Sequence, residues 1–185
     1  METLEQIKRN VADLHWLATL LTGCRETATD VTFQALAPVG DANPFSTWIN
    51  KWSRRNVIAR AVAAVREDLA RSARRLARRR GEKSAIPPRS WKLDGETSRS
   101  DLERALLPIE LFSRAAVLLL LFERVLLKDA VVLLDSDPDL VRKAVAIGAR
   151  ELTINLAAMQ GWKSEGTGFG TNCEEHHVRS TEIPS

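Results

Sequence analysis

The sequence predicts an all-α protein made of two small helical domains joined by a flexible linker. Three observations predict this. Apolar residues recur at three- and four-residue spacing through both halves of the chain. No segment alternates apolar and polar residues as a half-buried strand would. Between the halves, residues 81–100 read GEKSAIPPRSWKLDGETSRS, with two prolines, two glycines and several serines that deny it regular structure. The expected division is a helical domain over 1–80, the linker over 81–100, a second helical domain over 101–160 and a disordered polar tail over 161–185. A chain of 185 residues is long enough for one or two such cores.

The first half opens with Ile7, Val11, Leu14, Leu17, Ala18 and Leu21 at helical spacing, and Gly23 is a natural helix stop. A second helix follows through Val31, Ala35 and Leu36. APVGDANP, residues 37–44, is a loop by composition. A third helix starts near Pro44 or Phe45, where proline is tolerated in a first turn, and runs toward Arg80 with room for a bend. Phe45, Trp48, Trp52, Ala59 and Ala63 fall on one side of it, which makes the tryptophans core candidates first of all. Lys51, Arg54 and Arg55 fall on the neighbouring arc, open to phosphates.

The second half starts at Asp101, divides at Pro108 and divides again at DSDP, residues 135–138. There Ser136 or Asp137 caps a helix with Pro138 in its first turn. The most apolar run, Ala115 to Phe122, is stopped by Glu123 and Arg124. It falls well short of the ~18 apolar residues a spanning helix needs and reads as a core helix.

Net charge is only +3, but seven arginines lie between Arg66 and Arg80 against Glu67 and Asp68. Such a run makes a local positive field that attracts phosphate; the plainer reading is a solvated helix face. The pair of helices at about 124–134 and 138–157 has the order of a DNA-binding helix-turn-helix, with Arg142, Lys143 and Arg150 on or near the outer face of the second helix. An ordinary helical hairpin has the same pattern, and Asp137 and Asp139 at the start of that helix repel DNA phosphates.

Other chemistry finds little support. Cys24 and Cys173 are far apart, so no disulfide framework is expected and a reducing, cytoplasmic setting fits. The N-terminus lacks the basic-then-apolar pattern of a signal peptide. CEEHH in the tail, with Cys173, His176 and His177, carries zinc-type ligands, but no second Cys/His cluster completes four. No serine, histidine and acid set assembles, and no GxxxxGK loop is present. The reading is a binding protein rather than an enzyme, without metal or cofactor.

The order of these segments resembles the sigma-70 family of RNA polymerase initiation factors, in its extracytoplasmic-function branch. WLATLLTGCRETATDVTFQAL and PFSTWINKWSRRNVIARAV resemble region 2; LERALLP, SRAAVLLLLF and the helix pair over 125–157 resemble region 4. The match covers about residues 5–157. It implies a transcription initiation factor that binds core RNA polymerase and directs it to promoter DNA. The acidic helix would dock on polymerase through Asp30 and the position of Gln34, where the family usually has glutamate. Phe45, Trp48 and Trp52 would build a platform at the opened −10 element. Lys51, Arg54, Arg55 and Asn56 would contact the strand there, and Arg142, Lys143 and Arg150 would serve the −35 duplex. Asp135 stands at the turn where the family usually has glycine. An anti-sigma factor is a further partner that the resemblance allows. The alternative is a diverged sigma-like protein that acts only through protein–protein contacts, without promoter recognition.

Overall fold

The computed structural model describes residues 4–36, 46–79 and 97–162, with the side chains of 46–52 outside the description. Residues 81–96 of the expected linker and the tail beyond Trp162, including Cys173, His176 and His177, lie outside the described residues. Within them the protein is all-α, as the periodicity predicts.

Helices α1 (Leu4–Thr22) and α2 (Arg25–Leu36) are separated at Gly23, whose φ of +74° is the left-handed conformation that glycine adopts without steric cost. Helix α3 (Ser46–Ala64) bends at Val65 into α4 (Arg66–Arg78). Backbone bonds from Val65 N–H to Ala61 O (3.3 Å) and from Leu69 N–H to Val65 O (2.9 Å) carry the helix across the bend. Here the buried side differs from the one expected. Val57, Ile58, Ala61 and Val62 face the core, whereas Ala59 and Ala63 face solvent. The larger branched side chains remove more apolar area from water, and they set the rotation of the helix.

The second block begins two residues earlier than expected, with α5 (Arg99–Leu106). Ser98 and Asp101 form a capping box: the Ser98 hydroxyl accepts from Asp101 N–H, and the Asp101 carboxylate accepts from Ser98 N–H. The donation from Ser98 holds the Asp101 carboxyl below its ordinary value. After the break at Pro108, α6 (Leu111–Val117) is buried over nearly its whole surface and continues into a wider-wound segment, Leu118–Phe122. The apolar run is therefore core only in part. Leu118 and Leu119 are buried, while Leu121 and Phe122 emerge into solvent at 51% and 42%. Helices α7 (Leu127–Leu133) and α8 (Pro138–Met159) complete the chain.

The expected division into two domains is not confirmed. One hydrophobic core takes Leu14, Leu17, Leu21, Val57, Leu69 and Leu76 from the first half and Leu106, Phe112, Leu118, Val141 and Ala144 from the second. Around it, arginines meet carboxylates across the halves: Arg25–Glu103 (3.2 Å), Arg75–Glu110 (2.7 Å), Arg79–Glu151 (3.0 Å) and Arg99–Asp13 (2.7 Å). The Arg99 guanidinium also lies 4.4 Å from the ring centre of Trp16, whose indole N–H donates to Glu103 (3.1 Å). A chain cut by protease between 81 and 96 is therefore expected to elute from a sizing column as one complex, separating only in denaturant. Independent elution of the two pieces under native conditions would contradict the shared core.

Candidate nucleic-acid interface

The helix-turn-helix geometry is built from backbone chemistry. Helix α7 ends with Asp135 at φ +49°, Asp135 N–H donating to Val132 O (3.3 Å) and Ser136 N–H to Val131 O (3.2 Å). This pair of bonds is a Schellman ending, which needs a left-handed residue at its apex. Aspartate is among the few non-glycine residues that tolerate it, so Asp135 occupies a position where glycine is the usual choice. Asp137 then caps α8 by accepting from Leu140 N–H (2.8 Å), with Pro138 in the first turn.

The three α8 cations do not behave alike. Arg142 is exposed and pairs with Asp139 one turn earlier (2.8 Å). Lys143 turns inward: its ammonium donates to Leu76 O and Arg79 O, both at 2.9 Å. Those carbonyls lie at the end of α4, where few intrahelical donors remain; Leu76 O also accepts from Arg79 N–H (3.2 Å). Lys143 thus holds α4 to α8 and is not on the outer face. Arg150 is half-buried.

On α3, Arg54 makes a two-pronged bond to Glu123, with Nε and Nη2 each 2.5 Å from a carboxylate oxygen. The Glu123 side chain is only 8% exposed. This bonding raises the Arg54 pKa further above its ordinary value. Arg54 is accordingly occupied by the second half, Arg55 is exposed and Asn56 is half-buried. Trp48, Lys51 and Trp52 lie on α3, but their side chains fall outside the description. On α2, Asp30 and Gln34 are both exposed, and Gln34 accepts from Arg60 (3.2 Å).

Two features escape sequence reasoning. Phe33 stands 75% exposed between Asp30 and Gln34, opposite the buried face of Val31, Thr32 and Ala35. Its position off the apolar stripe was the available signal. The second feature is on α4, where Arg66, Arg71, Arg74, Arg75 and Arg78 are exposed while Leu69, Ser72 and Leu76 face inward. The arginine run signals charge, but only the helix register separates its outward from its inward members.

Among the described residues, no group of three or more His, Cys, Asp or Glu side chains is placed to hold a metal ion. No described helix is long and apolar enough to cross a membrane. No protein-family model, curated protein or solved structure matches this chain.

Proposed function

We propose that the chain is a sigma-type transcription initiation factor acting in the cytoplasm. It binds core RNA polymerase through α2 and guides it to promoter DNA through the α7–α8 pair and the start of α3. The observation that carries this reading is the α7–turn–α8 unit, with its Schellman ending at Asp135, its Asp137 cap and Arg142 exposed near the start of the second helix. The exposed face of α2, with Asp30, Phe33 and Gln34, suits a protein partner, because a large aromatic and a carboxylate there are free to dock.

A second reading has its own support. Lys143 and Arg54, both candidate DNA contacts, already hold partners within the chain. A protein with its cations so engaged could act through protein contacts alone, bound by polymerase or an anti-sigma factor without reading a promoter.

Reconstitution with core polymerase and a promoter library separates the readings. The first expects transcripts whose start sites depend on the protein and a complex that survives co-purification. Changing Asp30 and Gln34 together to lysine is expected to weaken that complex while helix content stays intact. A stable complex with core that gives no dependent start sites would favour the second reading. No complex at all would remove the first reading and leave only the anti-sigma form of the second.

A further inference from the structure

We propose that the C-terminal half of α4 anchors the phosphate backbone of duplex DNA, forming one surface with the start of α8. The proposal rests on the nucleic-acid reading above. From Ala70 to Arg79 the helix carries five arginines and no acid. They differ in their partners. Arg75, itself exposed, and half-buried Arg79 pair with Glu110 and Glu151 of the second half. Arg71, Arg74 and Arg78 are exposed and, among the described residues, make no bond to the second half. Their three- and four-residue spacing places them along one stripe, at about 1.5 Å of rise per residue. Arg71 pairs with Asp68 one turn back, and Arg74 Nε donates to Ala70 O (3.2 Å). Both partners leave guanidinium N–H groups open, and an exposed pair of the first kind is worth little.

A stripe of cations selects a polyanion, and its place in the fold selects duplex DNA. Lys143 ties the last turn of α4 to α8, and its neighbour Arg142 is exposed on α8. The α4 stripe therefore ends beside the helix whose start would enter a groove. Phosphate contacts fix the register of a reading helix without carrying sequence information. They also offset the acids at the start of α8, a feature that disfavours DNA. Asp137 and Asp139 repel phosphate, and α4 supplies the opposing charge from outside the helix-turn-helix. The anchor exists only because the halves pack together, since it joins residues about 65 apart in the chain.

The test uses the full chain and a fluorescein-labelled duplex of about 20 bp, two helical turns, titrated across a range of salt. Arg71→Gln, Arg74→Gln and Arg78→Gln together are expected to weaken binding about tenfold or more at low salt. They should also flatten the slope of log affinity against log salt by about 2 to 3. The matching triple change to lysine should keep the parental slope, because it keeps the charge. Parental affinity and slope in the glutamine triple would overturn the anchor. If Arg142→Gln weakens binding while that triple does not, the α8 reading stands and the anchor falls. A parent chain that binds no duplex removes both, and binding to phosphatidylglycerol vesicles in place of duplex reassigns the stripe and overturns the proposal. Circular dichroism of each variant should match the parent, as all three arginines are exposed.

Discussion

Replacing Gly148 by valine is expected to destabilise the protein by on the order of 3 kcal/mol or more. Gly148 lies inside α8, where alanine would ordinarily be favoured by about 1 kcal/mol on helix propensity. Packing opposes that gain. A Cβ at this position would stand 2.7 Å from Val117 Cγ2 and 2.8 Å from Ser113 O. Neither can withdraw: Val117 is fully buried, and the Ser113 oxygen is backbone of α6. The two helices would have to part, and overpacking a closed core costs about 1–3 kcal/mol for a small addition. Alanine should therefore lose at most about 2 kcal/mol after its propensity is credited, and valine, with two further carbons, should lose more. Against the ~5–15 kcal/mol that a domain has in total, the valine variant would be marginal at best. Urea melts of both variants provide the measurement. An alanine variant as stable as the parent would show that the α6–α8 crossing yields easily.

Arg114→Met is expected to lose about 2–4 kcal/mol. Arg114 is 6% exposed, and its fork serves three carbonyls: Nε donates to Leu20 O (2.8 Å), and Nη1 to Leu107 O (2.7 Å) and Ile109 O (3.1 Å). Leu20 lies near the end of α1 and the other two follow α5, so one side chain closes helix ends from both halves of the chain. Burial lowers the Arg114 pKa, which marks the desolvation that these bonds must offset. Methionine keeps the length of the stem and releases that cost, but it leaves the carbonyls without their donor. Lysine should rescue little, because a point charge cannot reproduce a planar fork. Thermal melts would decide the matter. A methionine variant within about 0.5 kcal/mol of the parent would mean that solvent or relaxation satisfies those acceptors.

The same position explains a second constraint. A Cβ on Gly23 would stand 2.8 Å from Arg114 Nη2. Gly23 is legible in the sequence as a helix stop, through its freedom at positive φ. Its closeness to a guanidinium from α6 is not legible, because that neighbour lies about 90 residues away and nothing local specifies it.

The candidate interface divides in the same way. The sequence places Arg142, Lys143 and Arg150 on or near the outer face of one helix, yet they end in different surroundings. Lys143 is drawn to the carbonyls at the end of α4, and Arg142 stays in water beside Asp139. Arg54 and Arg55 are adjacent on the same basic arc, but only Arg54 finds Glu123. A cation's availability depends on which acceptors the rest of the fold brings to it. The register of α3 also needed the core to settle it: small alanines at 59 and 63 follow the helical period as well as Val57 and Ile58 do, and burial favours the larger side chains.

By itself the sequence determined what depends on near neighbours in the chain. Helical periodicity, Gly23, the break at Pro108 and the Asp137–Pro138 start act within a turn or two, so they hold in any tertiary setting. Tertiary structure alone decided that the halves share one core, that Arg114 bridges them, that Lys143 faces α4 and that Arg75 and Arg79 pair with carboxylates of the second half. These arrangements join groups tens of residues apart. Their physical basis is the burial of apolar faces that no single helix can cover alone, together with the need of every buried polar group for a partner.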